Sequence, residues 1–205
     1  AGLGQRVYGW DLSPVAAGRA AREAGARAAR EAAARGVPLA VAAADMRALP
    51  LRDGAFDVVV CADNSLPHLL TADDVRTALA GMRRVLRPGG LLVLTTRPYD
   101  ELRRERPLTT TPTVRTGPEG RVISFQLWHW HDDGERYDLE LFQLRPDTGE
   151  GAAPERWTTT VRRATYWALT RRQLAGLAAE AGFHSTQWHD PDSTGYFQPL
   201  LTARA

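Results

Sequence analysis

The stretch FDVVVCADNSLPHLL, residues 56–70, joins an apolar run to a cluster of polar side chains. Residues 56–62 are predicted to form a buried strand. The strand is followed directly by Asp63, Asn64 and Ser65. In open α/β sheets, ligands bind beyond the carboxyl ends of the strands. The stretch therefore predicts an α/β fold in which this strand ends at a binding site.

Strands and helices alternate through the first half of the chain. Four strands are predicted, at 6–10, 39–44, 56–62 and 91–96. Helices are predicted at 15–35 and after Thr71, which forms a capping box with Asp74. The sequence Leu86-Arg-Pro-Gly-Gly90 ends the second helix before the fourth strand. This alternation is typical of βαβ units around a mostly parallel sheet.

The amino-acid composition changes after Arg97. Segments 113–128, 136–145 and 156–167 are rich in Val, Thr and aromatic residues, and they predict antiparallel strands. We interpret about 100–168 as an antiparallel cover inserted into a single domain that spans 1–205. Thr170 and Gln173 cap a further helix, and two strands near 183–189 and 198–203 complete the sheet.

Composition excludes several classes of protein. The formal net charge is +2, and all 26 basic residues are arginines scattered among acidic residues, which argues against a nucleic-acid partner. No apolar run approaches the roughly 20 residues of a membrane span. The single cysteine, Cys61, fits a reducing compartment, so we predict a soluble cytoplasmic protein. His129 and His131 alternate along one strand with too few further ligands for a metal site, so none is predicted.

The order of these motifs resembles the class I S-adenosylmethionine-dependent methyltransferases. The features are Asp11 after the first strand, Asp45-Met46 after the second, and Leu86-Arg-Pro-Gly-Gly90. Three further segments resemble the glycine/sarcosine N-methyltransferase branch: Asn64-Ser65 with His68, Arg97-Pro-Tyr99-Asp100, and Gly195-Tyr-Phe-Gln-Pro199. The resemblance implies a Rossmann-like sheet and S-adenosyl-L-methionine as cofactor.

The start of the chain departs from this pattern. The family's first strand and its glycine-rich loop have no counterpart, and residues 1–4 resemble the end of the helix that follows that loop. The absent strand would lie between the strands at 6–10 and 56–62. We therefore expect the sequence to be part of a longer chain that supplies an N-terminal segment.

Site residues are carried over from the resemblance by position. The cofactor-binding residues that it implies are Asp11, Leu12, Asp45, Met46, Ala62 and His68. Asp11 would accept both ribose hydroxyls, because a carboxylate offers two oxygens. Asp45 would accept from the adenine amine, and His68 would lie near the methionine part. Helix-start or turn roles remain the alternative for each acid.

For the acceptor, the resemblance implies Asn64, Arg97 and Tyr99. Arg97 would hold a carboxylate through two parallel hydrogen bonds, whereas the alternative is a surface ion pair with Asp100 or Glu101. Asp63 stands where the family usually has glycine, and its charge would repel an amino acid's carboxylate or favour an extra cationic group.

The predicted function is S-adenosylmethionine-dependent N-methylation of a small amine that bears a carboxylate, like glycine or sarcosine. Two alternatives stay open: an O- or C-methyltransferase acting on a small natural-product scaffold, and a non-catalytic binding protein of methyltransferase ancestry. The predicted partner is a small-molecule amine, with no nucleic acid and no membrane. A homo-oligomer is left open.

Overall fold

A computed structural model describes residues 6–31, 40–117, 120–147 and 156–205. In these ranges the strands are β1 Tyr8–Asp11, β2 Ala40–Ala43, β3 Phe56–Cys61, β4 Leu86–Thr95, β5 Thr113–Gly117, β6 Gly120–Trp130, β7 Arg136–Pro146, β8 Trp157–Trp167, β9 His184–His189 and β10 Leu200–Arg204. The helices are α1 Pro14–Glu31, α2 Ala72–Val85, α3 Tyr99–Glu105, α4 Arg171–Glu180 and α5 Pro191–Thr194, with a 3-10 turn at Leu66–His68.

The α/β part contains two sheets. β1 and β2 form a parallel pair, and four further strands are ordered β3-β4-β10-β9. β3 runs parallel to β4, whereas β10 is antiparallel to both of its neighbours. Among these four strands only β10 is therefore reversed, which confirms the predicted mostly parallel α/β fold.

Strand β3 has an open edge in the described part of the chain. There, β1 pairs only with β2, and β3 pairs only with β4. The rings of Tyr8 and Trp10 lie 5.8 and 6.0 Å from that of Phe56, so the two sheets are neighbours. This edge is where the sequence predicts the family's absent strand. Residues 1–4, interpreted above as the end of a helix, lie outside the described residues.

Leu86-Arg-Pro-Gly-Gly90 forms an irregular entry to β4. The pairing shifts from Phe56 opposite Leu86 to Val58 opposite Leu91, which leaves extra residues on the β4 side. Gly90 suits this bend because a Cβ there would lie 2.9 Å from the Arg87 carbonyl oxygen. The predicted start of this strand at residue 91 is thus wrong. β4 begins at Leu86 because Leu86 pairs with Phe56 of β3, and bonds of Gly89 and Gly90 to Ala205 hold the bend.

Two capped helices cover the sheet. The Thr71 hydroxyl accepts from the Asp74 N–H at 3.1 Å, and Thr170 forms a reciprocal box with Gln173 at the start of α4. Their apolar faces pack on the central strands in one core, whose fully buried members include Val75, Leu79, Leu92, Leu94, Leu174 and Leu201. This burial fixes where β3 and β4 end. In the described ranges, no helix combines the length and hydropathy needed to cross a bilayer.

The antiparallel sheet has the order β5-β6-β7-β8. The single strand predicted over 113–128 is wrong in one respect, because the segment contains two antiparallel strands, β5 and β6, in which Gly117 pairs with Gly120. The Arg136 guanidinium joins this sheet to the α/β part by donating to the Leu70 carbonyl, 3.1 Å from Nη2. β8 also contacts the 3-10 turn. The sheet therefore lies against the carboxyl end of β3.

Candidate active site

The turn after β3 has an unusual backbone. Asp63 and Asn64 both adopt left-handed conformations, with φ of 57° and 63°. Such conformations are costly for residues other than glycine, and they persist where surrounding contacts hold them. Here the Asp63 N–H donates to Thr95 Oγ1 at 2.8 Å, and the Asn64 N–H donates to the Thr95 carbonyl at 3.3 Å. The turn is thus fixed to the end of β4.

Thr95 connects this turn to the end of the chain. Its hydroxyl donates to Gln198 Oε1 at 2.8 Å, and Thr95 and Gln198 are both buried. Neither residue has a role that is predicted from the local sequence. The segment 195–199 gave the only signal, because it formed part of the family resemblance.

Asn64 is buried beneath the turn that leads to Arg97. Its Oδ1 accepts from the Arg97 N–H at 3.1 Å, and the side chain is only 3% exposed. Its Nδ2 is buried without a hydrogen-bond partner in the described part of the chain. Asn64 therefore positions the backbone of Arg97, and its predicted contact with the acceptor stays a prediction.

The Arg97 guanidinium faces the antiparallel sheet. Nη1 donates to the Tyr137 hydroxyl at 2.7 Å, and the guanidinium carbon lies 4.8 Å from the Trp128 ring centre and 5.2 Å from that of Tyr166. The alternative of an ion pair with Asp100 or Glu101 is wrong. In the described residues, no carboxylate forms an ion pair with Arg97.

Three stacked rings form what we call the aromatic platform: Trp128, Tyr137 and Tyr166. The ring centre of Tyr137 lies 4.6 Å from that of Trp128 and 5.4 Å from that of Tyr166, with interplanar angles of 6° and 16°. The platform spans β6, β7 and β8 because Tyr137 lies directly opposite Tyr166 in the strand register. These strands were predicted from the sequence, but the contact of their rings with Arg97 was not.

Tyr99 lies behind the platform. It is 1% exposed, and its hydroxyl is 3.0 Å from that of Tyr137. Burial raises the pKa of both phenols, and Arg97 opposes the shift at each. Both stay protonated at neutral pH. Tyr99 thus reaches Arg97 through Tyr137, and its predicted contact with the acceptor stays a prediction.

His68 lies on the 3-10 turn beside the platform. Its ring centre is 4.3 Å from that of Tyr166. Partial burial, together with the positive charge of Arg97, lowers the pKa of His68 from its usual 6.5. The imidazole is therefore neutral at pH 7, and a neutral ring can lie beside a cation without repulsion.

On the other side, Asp11 and Asp45 end the adjacent parallel strands β1 and β2. Asp11 Oδ1 accepts from the Ser13 N–H at 2.7 Å, and no described residue donates to its Oδ2. Both oxygens of Asp45 accept from Arg47, with distances from 2.7 to 3.1 Å. These bonds hold the pKa of Asp45 below its usual value. The Asp45 carboxylate is therefore ionised at neutral pH.

Of the remaining predicted cofactor residues, Leu12 follows β1, Met46 follows β2 and Ala62 follows β3. Leu12 is 72% exposed, Met46 packs on the main core, and the Ala62 carbonyl accepts from the Ser65 hydroxyl at 2.7 Å. Among the described residues, no group of acidic, histidine or cysteine side chains could hold a metal ion. Burial raises the pKa of Cys61 to about 12, so its thiol is not ionised.

This donor set fits an adenosine group. Asp11 offers hydroxyl donors a carboxylate oxygen that accepts no hydrogen bond from the described residues, and the exposed Leu12 offers an apolar surface beside it. Asp45 fits less well, because an amine donor would have to displace part of its contact with Arg47. The residues present could thus hold the ribose more readily than the adenine amine.

Comparisons with known proteins show what this chain is similar to. A family model described as "Methyltransferase domain" matches residues 1–94. A glycine/sarcosine N-methyltransferase of Parasynechococcus marenigrum (strain WH8102) is 36% identical over 101 residues, which cover 45% of this chain and 36% of that protein. The glycine/sarcosine N-methyltransferase of Halorhodospira halochloris is 31% identical over 104 residues, covering 46% and 38%. The chain thus spans little more than a third of the length of these relatives.

A solved structure confirms the fold over nearly the whole chain. An S-adenosylmethionine-dependent methyltransferase from Clostridium acetobutylicum ATCC 824 superposes with a TM-score of 0.72 at 15% identity, covering 98% of this chain and 74% of that one. Together with the match over residues 1–94, this confirms the resemblance to class I methyltransferases and the Rossmann-like sheet.

Proposed function

We propose that this chain, a methyltransferase domain of the class I fold, methylates the neutral amine of a small molecule that also carries a carboxylate, with S-adenosylmethionine as methyl donor. The matching glycine/sarcosine N-methyltransferases support an amine acceptor. The observation that carries the proposal is the environment of Arg97, at the carboxyl end of β4.

Arg97 is a cation prepared for an anionic ligand. In the described residues its guanidinium donates one hydrogen bond, to Tyr137, and otherwise contacts ring faces of the aromatic platform. Contacts of a cation with aromatic faces contribute only about 0.5–2 kcal/mol. They leave N–H groups free to form the bidentate bonds that a carboxylate accepts. An acceptor carboxylate would complete this site.

In this proposal the chain positions the reactants and contributes little acid–base catalysis. S-adenosylmethionine, when bound, supplies an electrophilic methyl group. Arg97 would fix the acceptor's carboxylate and thereby aim its amine, and holding reactants in attack geometry can lower the barrier by on the order of 7–11 kcal/mol at best. Asn64 and Tyr137 hold Arg97 through its backbone N–H and its Nη1. A neutral amine is already a nucleophile, so this assignment requires no strong base.

Transfer of a labelled methyl group tests the proposal. The full-length protein is incubated with labelled S-adenosylmethionine and either glycine, sarcosine or catechol, and the products are separated. We expect label on the two amines and none on catechol. Label on catechol alone would favour the O-methyltransferase alternative. The absence of cofactor binding in a calorimetric titration would favour the non-catalytic alternative.

Replacement of Arg97 tests the role of the guanidinium. Arg97→Leu should raise the acceptor KM by at least about 30-fold, because losing the partner of a bonded charge costs 2 kcal/mol or more. The Kd of the cofactor should not change. Tyr137→Phe removes one hydrogen bond to Arg97 and should raise the same KM about fivefold. An equal loss of cofactor and acceptor affinity in Arg97→Leu would contradict the assignment.

A further inference from the structure

We propose that Asp63 selects acceptors that carry a second cationic group, in addition to the amine that is methylated. The chemical class is a small diamino carboxylate. This inference rests on the proposed function, and it adds a specificity residue to that site.

Asp63 has a fixed backbone and an exposed side chain. Its left-handed conformation, with φ of 57°, is held by the bond from its N–H to Thr95 Oγ1. Thr95 is held in turn by the buried Gln198. The carboxylate therefore extends from a rigid backbone. A glycine at this position would offer no charge.

The Asp63 carboxylate has no protein partner in the described part of the chain. Two other acids do have a protein partner. The Asp100 carboxylate accepts from the Arg171 N–H at 2.9 Å, and the Asp45 carboxylate is bonded to Arg47. Asp63 forms no ion pair with Arg97, although each lies at the end of one of two neighbouring strands. Two opposite charges thus follow neighbouring strands without forming an ion pair with each other.

The charges of Arg97 and Asp63 both act on Tyr166. The Arg97 guanidinium carbon lies 5.2 Å from its ring centre, and the His68 ring lies 4.3 Å away. Burial raises the pKa of Tyr166, while the positive charge of Arg97 lowers it and the negative charge of Asp63 raises it. The groups near the Tyr166 ring are therefore a cation, an anion and a neutral imidazole, and Tyr166 itself is a neutral phenol.

The chemistry of methylation decides which cation suits Asp63. The reacting amine needs a free lone pair, and a carboxylate beside it would stabilise the protonated, unreactive form. Asp63 is therefore a poor partner for the reacting amine and a good partner for a second ammonium group that does not react. Its charge also repels the acceptor's carboxylate, which directs that group toward Arg97.

Two acceptors that differ by one amine test this inference. L-2,4-diaminobutyrate and L-2-aminobutyrate have the same carbon chain, and methylation of each by the full-length protein is followed by mass spectrometry. We expect kcat/KM to be about tenfold higher for the diamine, the effect of one hydrogen bond to a charged group. Asp63→Asn should abolish this preference, since asparagine also tolerates the left-handed backbone. Asp73→Asn, which removes a charge from a side chain 94% exposed on α2, should keep it.

Each other outcome has a definite meaning. If the wild-type protein methylates both compounds with equal kcat/KM, the inference about Asp63 is overturned and the proposed function stands. If Asp63→Asn lowers kcat/KM equally for both compounds, the residue has only a structural role. If neither compound nor any other amine is methylated while cofactor binds, the proposed function fails and the inference fails with it.

Discussion

The predicted cofactor residues and the predicted acceptor residues, called here the cofactor side and the acceptor side, are held in place by different kinds of contact. On the cofactor side, Asp11 and Asp45 lie on turns, and each bonds to a residue two positions along the chain. On the acceptor side, the bond between Asn64 and Arg97 joins residues 33 positions apart, and that between Thr95 and Gln198 joins residues 103 positions apart. The cofactor side is therefore a local structure, whereas the acceptor side depends on the assembled fold.

This difference predicts different responses to substitution. Removing an exposed group that makes local bonds should change ligand binding with little effect on stability. Removing a buried group that joins distant segments should change stability first, because it leaves polar partners unpaired. Three predictions test the comparison, from the largest expected effect to the smallest.

The largest effect is expected for Thr95→Val. The substitution leaves Gln198 Oε1 and the Asp63 N–H without their partner, at about 1–3 kcal/mol for each buried group. We therefore expect the free energy of unfolding to fall by about 2–4 kcal/mol, measured by urea denaturation. Thr160→Val on the exposed part of β8 is the matched control and should stay within about 0.5 kcal/mol of wild type. An equally small change in Thr95→Val would show that this connection does not hold the acceptor side.

A smaller effect is expected for Asp11→Ala. The side chain would lose charge-assisted hydrogen bonds to the cofactor, which are worth about 1.5–3 kcal/mol, so the Kd for S-adenosylhomocysteine should rise about 10- to 100-fold. Calorimetric titration measures this change. The urea midpoint should move little, because Asp11 is exposed and bonds only locally in the described part of the chain. Unchanged affinity would remove Asp11 from the cofactor site.

The smallest effect concerns His68 and pH. Its pKa in the folded protein lies below the usual 6.5, so between these two values the unfolded chain binds the proton more readily. This residue's contribution to stability is therefore complete at pH 7.5 and declines as the pH falls below 6.5. Urea unfolding at pH 7.5 and 5.5 should show a smaller pH dependence for His68→Gln than for wild type.

The same measurement on the wild-type protein is the reference. An equal pH dependence in His68→Gln and wild type would show that the environment of His68 does not perturb its protonation.

Prediction from sequence succeeded where the signals were local. The strands near 6–10, 39–44 and 56–62 and the caps at Thr71 and Thr170 were recognisable because a strand or a cap depends on neighbouring residues. It was less accurate where distant segments meet. β4 begins at Leu86 because Leu86 pairs with Phe56 and the irregular entry bonds to Ala205, and no local pattern reveals those contacts.

The sequence by itself determined the α/β class, the mostly parallel sheet and the polar ends of β3 and β4, because apolar periodicity and capping residues specify them along the chain. Only the tertiary structure decided what surrounds Arg97. Its three aromatic neighbours come from three strands of the antiparallel sheet, between 31 and 69 residues further along the chain. Strand register and the packing of that sheet against the 3-10 turn bring these rings together, and long-range packing of this kind has no signature in the local sequence.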